Sequence, residues 1–139
     1  PDYAHSAYEK GVPMGSDLPA HDKISSPEFL LYALKDPDGS NIERIQVVKG
    51  WTDANNQEHE RVFNLAVSGE IGTGQLSAQW RDPNFDSQQH AFYYARVLEV
   101  PRPRWTAYDE ETLGTTAPKA APKALRDRAY SSPIWYTPI

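Results

Sequence analysis

The run Gln75-Leu76-Ser77-Ala78-Gln79-Trp80-Arg81 alternates polar and apolar residues without a break. A period of two puts Leu76, Ala78 and Trp80 on one face of a strand and Gln75, Ser77, Gln79 and Arg81 on the other. The rest of the chain repeats this β character and nowhere shows a long amphipathic helical period. Glu28 opens Phe29-Leu30-Leu31-Tyr32-Ala33-Leu34, which is apolar on both parities and so predicts a strand covered on both faces. Ile42 to Trp51 is rich in β-branched residues (Ile45, Val47, Val48) and is ended by Gly50. Arg61 to Val67 places Phe63, Leu65 and Val67 on one face. Ala91 to Val100 is aromatic and apolar on both parities, as expected at the centre of a sheet. Ser131 to Thr137 carries Ile134, Trp135 and Tyr136 as a last strand.

Turn chemistry separates these runs: Asp36-Pro37-Asp38-Gly39, Asp53-Ala54-Asn55-Asn56-Gln57, Asp82-Pro83-Asn84-Phe85-Asp86 and Pro101-Arg102-Pro103. Hairpin-like spacing without long helices is the pattern of an all-β, antiparallel β-sandwich of about six to seven strands. The expected core is Phe29, Leu31, Ile45, Val47, Phe63, Leu65, Leu76, Trp80, Phe92 and Tyr94. Residues 1–27 hold many breakers and read as a segment entering from an upstream domain, with room for one short strand around Met14. Residues 28–139 form the sandwich module. Within it, 106–130 is expected to be a long irregular connection before the last strand, with one helical turn at Asp109-Glu110-Glu111, another at Leu125 to Ala129, and a linker-like Ala117 to Lys123.

With 139 residues the chain suits one domain with a real core. Lys+Arg 14 against Asp+Glu 19 gives a net charge of −5, which argues against non-specific binding to nucleic acid or to an anionic membrane. No apolar run approaches the roughly 18 residues of a membrane span. The absence of cysteine excludes disulfides, zinc knuckles and thiol catalysis. The chain begins Pro1-Asp2-Tyr3 with no initiator Met or signal-like segment, so it reads as a piece of something longer and its compartment stays open.

Little of the sequence carries recognisable chemistry. His5, His21, His59 and His90 show neither HxH nor HExxH spacing, so no metal held by protein ligands is expected. Asp82 to Asp86 imitates the opening of a calcium loop, but Ser87 replaces the glycine and Tyr93 the bidentate glutamate; an Asx-type turn is expected instead. Gly69, Gly72 and Gly74 are not followed by the Gly-Lys-Ser/Thr of a phosphate loop. The most ligand-like group is Arg102, Arg104 and Trp105 with Tyr108 nearby. Arginine beside an exposed aromatic can hold a carboxylate or phosphate, or stack on a ring. The competing reading has Trp105 covering the sandwich edge while the arginines pair with acids or lie against that edge. Met14, Val12 and Leu18 lack alternating partners and are expected to meet a neighbouring domain. The candidate substrate or interdomain contacts are therefore Arg102, Arg104, Trp105 and Met14.

Five stretches then combine in order: Gly11 to Pro19, Ile45 to Trp51, Trp80 to Asp86, Ala91 to Thr106 and Arg128 to Tyr136. This set resembles the C-terminal end of the bacterial "domain of unknown function 3604" family over nearly the whole chain. The resemblance implies an upstream domain similar to PHP-type metal-dependent phosphoesterases, with His and Asp ligands for divalent metals. None of those metal-ligand motifs occurs here, so no catalytic residue carries over and the divalent metal is expected in the upstream domain. Many family members carry an export signal, which implies a periplasmic or secreted protein. One departure stands out: the family has a longer segment between the positions of Ser68-Gly69-Glu70 and Ile71-Gly72-Thr73, so either a deletion or omitted residues are expected there. Two functions are weighed on this basis. One is the C-terminal module of a metal-dependent hydrolase, supporting the catalytic domain and contributing to the pocket rim. The other is an independent module binding a glycan or cell-surface ligand through exposed rings such as Trp51 and Trp135.

Overall fold

The computed structural model describes residues 3–19 and 26–139. In chain order the elements are α1 (Tyr3–Lys10), β1 (Glu28–Leu34), β2 (Ile42–Thr52), β3 (Glu58–Val67), β4 (Gln75–Arg81), β5 (Ala91–Glu99), β6 (Arg102–Pro103), α2 (Trp105–Leu113), β7 (Ala124–Leu125), β8 (Arg128–Tyr130) and β9 (Ile134–Tyr136). Two antiparallel sheets make the sandwich. The larger runs β3-β2-β5, and β8 and β9 both pair the far edge of β5 at different heights. The smaller is β1 with β4, in a register that sets Phe29 opposite Trp80 and Leu31 opposite Ala78. The fold is thus all-β and sandwich-like, as the alternation predicts, with β5 central.

Asp53 shapes the β2–β3 hairpin: its Oδ1 accepts the backbone N–H of Asn55 at 2.8 Å and of Gln57 at 3.0 Å, and Asn56 takes the left-handed φ of 62° that asparagine tolerates. A β-bulge between Ile45 and Gln46 inserts an extra β3 residue, which breaks the Phe63-Leu65-Val67 alternation. Leu65 packs toward the core and Val67 is left exposed.

The interlayer core comprises Phe29, Val47, Ala91, Tyr93 and Tyr136, with Leu18, Leu31, Trp51, Leu65, Trp80, Phe85 and Ile134 packed around it. This corrects the expected core at β5. Tyr93 and Ala91 face the second sheet, whereas Phe92 and Tyr94 lie half-buried on the opposite face. Both parities of β5 are apolar, so alternation there could not choose a face; the register to Lys49 and Trp51 of β2 does. Phe92 lies directly over Gly50, where a Cβ would come within 2.3 Å of its ring. Phe63 and Trp80 are half-buried, in ring contact at 4.8 Å.

Three further expectations fail. First, β1 is not covered on both faces: Leu30, Tyr32 and Leu34 point outward and are 42%, 66% and 67% exposed, because no described element lies over the small sheet's outer side. Second, Leu18 packs against the core instead of facing a neighbouring domain, and Tyr3–Lys10 is helical; Met14 sits in a turn. Leu18 N–H donates to the Trp135 carbonyl at 2.7 Å and Trp135 N–H to Ser16 at 3.1 Å, which ties this segment to β9. Third, 106–130 is only partly irregular: the turn expected at Asp109–Glu111 belongs to the longer α2, and Leu125 to Ala129 carries parts of β7 and β8 in place of a helical turn, because these residues pair with β6 and β5. Gly114 ends α2 in the left-handed conformation at φ 64°.

Candidate functional site

Two clusters of polar side chains stand out, and only one is open to solvent. The buried one joins the layers. Lys49 projects from β2 into the core and donates from Nζ to Asp82 Oδ2 at 2.6 Å and to the Asn84 carbonyl at 2.8 Å. The Tyr93 hydroxyl donates to the same Oδ2 at 2.8 Å, and Asn84 N–H to Oδ1 at 2.9 Å. This last bond is the Asx turn expected at Asp82. The missed part was the carboxylate's other oxygen, which takes the lysine and the tyrosine. Burial, followed by the hydrogen bond to Asp82, pushes the Tyr93 pKa far above the usual phenol value. The Lys49 and Asp82 side chains are 4% and 0% exposed, so no substrate reaches them. The cluster positions the turn after β4 on the large sheet.

The open cluster is built where the chain leaves β5. The short β6–β7 ladder pairs Arg102 with Leu125 and Pro103 with Ala124. Arg104 is extended (φ −74°, ψ 154°) and caps α2, and its N–H donates to the Lys123 carbonyl at 2.9 Å. The helix then turns Trp105 and Tyr108, three residues apart, onto the same side. Arg102, Pro103, Arg104, Trp105, Tyr108 and Leu125 line a surface cleft of about 370 Å³. The Trp105 indole also walls a smaller hollow of about 160 Å³ formed with the Thr115–Pro118 loop. Trp105 and Tyr108 are 64% and 56% exposed.

Most cations around the cleft are already paired. Arg102 Nη2 meets Asp127 Oδ2 at 2.7 Å, Lys123 Nζ meets Glu110 Oε2 at 3.2 Å, and Arg126 Nη2 meets Glu43 Oε2 at 2.9 Å. The Ala117 N–H, then Lys123, hold the Glu110 pKa below the usual range and fasten the 114–123 loop over α2. The Arg104 guanidinium has no hydrogen-bond or ion-pair partner among the described residues. Of the two arginines, Arg102 is thus paired to an acid and Arg104 is not.

A family profile described as a protein of unknown function, DUF3604, matches residues 1–71 and again 65–138. The chain belongs to the DUF3604 family. No curated protein and no solved structure matches it. The two stretches of the DUF3604 match meet at residues 65–71, where the resemblance places the departure from the family's spacing. That point is an exposed turn: Gly69 and Gly72 have φ of +86° and +69°, Gly72 N–H donates to the Gly69 carbonyl at 3.3 Å, and Ile71 is 86% exposed.

The other residues singled out in this DUF3604 chain are dispersed. Met14 is exposed in the turn beside Pro133 and does not line the Arg104 cleft. His5 pairs with Glu9 at 3.2 Å on α1, and His59 with Asp53 at 2.9 Å while stacking on Trp51. His21 lies outside the described residues. Trp51 is half-buried, with Lys49 Nζ 5.1 Å from its ring centroid, so it does not offer the exposed stacking face expected of it.

Proposed function

We propose that this chain is the C-terminal β-sandwich of a PHP-like metal-dependent hydrolase, acting on a phosphoester, which supports the catalytic domain and lends the α2 corner to its pocket rim. The observation that carries the reading is the outward row Leu30, Tyr32 and Leu34 on β1. An apolar row of this kind on a well-formed strand fits a surface made to be covered, and an interface within one chain commonly buries about 600–1,500 Å². The divalent metal belongs to the upstream domain, where it would supply a hydroxide and polarise the ester. This chain contributes packing and the Arg104–Trp105 corner.

The test is the gene upstream of Pro1 and the protein it encodes. The reading expects a His- and Asp-rich region there, phosphoesterase turnover that needs divalent metal, and no turnover by this chain alone. It also expects the chain alone to bind a hydrophobic dye, Leu34→Asp and Tyr32→Asp to reduce that binding, and attachment of the upstream region to abolish it. An upstream sequence without metal-ligating clusters, or a dye response indifferent to those substitutions, refutes it. A second reading, an independent glycan-binding module, draws on Trp135, which is half-exposed with its ring centroid 5.3 Å from that of Phe92.

A further inference from the structure

We infer that the cleft between α2 and the β6–β7 ladder binds a small organic anion bearing a ring, with the Arg104 guanidinium taking the charge and Trp105 and Tyr108 taking the ring. Three observations meet at this place. The cleft, at about 370 Å³, lies in the size range of small-ligand sites. Trp105 and Tyr108 are exposed and share the lining with Leu125. Arg104 has no acid partner among the described residues, while its neighbours Arg102, Lys123 and Arg126 each have one. Two largely exposed rings and an arginine without an acid partner among the described residues, lining one cleft, fit a carboxylate or phosphate attached to a ring better than either half alone.

The site lies wholly within this chain; only its service to a neighbouring catalytic centre rests on the reading above. The test titrates the chain with phenyl phosphate and with benzoate, and separately with inorganic phosphate and with phenol. Binding is followed by the indole N–H resonance of Trp105, assigned through Trp105→Phe. The two probes carrying both groups are expected to bind with dissociation constants on the order of 1 mM, at least tenfold tighter than phosphate or phenol. Arg104→Gln should remove that tenfold advantage without shifting the thermal midpoint, since its side chain holds nothing else. Trp105→Ala should weaken every ring-bearing probe. Equal affinities for the paired and single-group probes overturn the site, and so does an Arg104→Gln variant that binds as the parent does. Binding by the chain that disappears when the upstream region is attached makes the corner a domain contact; it overturns the site and leaves the scaffold reading standing. Intact binding in a longer protein lacking a metal-hydrolase region does the reverse.

Discussion

Replacing Lys49 by methionine tests the physical account of how the two sheets are joined. The substitution keeps the aliphatic stem that passes the Trp51 and Tyr93 rings but removes the ammonium 2.6 Å from Asp82. A buried carboxylate deprived of its cation costs about 3–5 kcal/mol. Asp82 keeps the Tyr93 hydroxyl and the Asn84 N–H, so the lower end applies, about 3 kcal/mol. That is a large share of the roughly 5–15 kcal/mol available to a domain and corresponds to a midpoint shift on the order of 10 °C. Tyr93→Phe removes one hydrogen bond to a charged group and should cost about 1.5–3 kcal/mol. Both variants act on one oxygen, so the double variant should depart from additivity by more than about 0.5 kcal/mol. Urea unfolding followed by tryptophan fluorescence measures all three, with Trp80 as the nearby reporter, 6.4 Å from Tyr93 by ring centroids. A Lys49→Met chain within about 1 kcal/mol of the parent at unchanged m-value, or strictly additive variants, would refute the coupling.

Other outcomes follow from single positions. Gly50→Ala drives a Cβ to 2.3 Å from the Phe92 ring and should cost about 1–3 kcal/mol in the same urea assay, part of which Phe92→Leu should restore. Glu110 has a lowered pKa in the folded chain, so its contribution is complete above the ordinary glutamate value of about 4.3 and is lost as pH falls through the lower folded value. Amide exchange at Ala117 should therefore be faster in Glu110→Gln near neutral pH, and the difference should vanish in acid. Inserting about eight Gly/Ser residues between Glu70 and Ile71 roughly doubles the 68–74 loop and should cost only about 0.6 kcal/mol; a loss of several would show that this turn is under constraint.

Most of the architecture was legible because strand periodicity is local. Gln75–Arg81 alternates in sequence and alternates in burial, with Leu76, Ala78 and Trp80 turned inward. The β2–β3 hairpin announced itself through Asp53 and Asn56, whose side chains bond or tolerate the turn by themselves. The Arg102-Arg104-Trp105 grouping was also visible, since those residues are neighbours in the chain. Where a segment is apolar on both sides, local pattern falls silent. On β1 it could not say that Leu30, Tyr32 and Leu34 would lack a cover, and on β5 it chose Phe92 and Tyr94 over Tyr93. Only one turn of α2, at Asp109–Glu111, was legible because the helix is short and carries no apolar stripe, and the bonds that fasten its loop come from Glu110 and Lys123, thirteen residues apart.

By itself the sequence determined the strand-forming runs, their turns and the acidic balance, since these rest on side-chain alternation, β propensity and the φ preferences of Asn, Gly and Pro. Tertiary structure decided which face of each strand is inside, the union of Lys49 with Asp82 and Tyr93, and the pairing of Arg102, Lys123 and Arg126 with acids while Arg104 has none among the described residues. Those outcomes depend on registers between strands and on groups up to 83 residues apart, as with Arg126 and Glu43. Burial and charge compensation are properties of the assembled neighbourhood, and no single segment contains them.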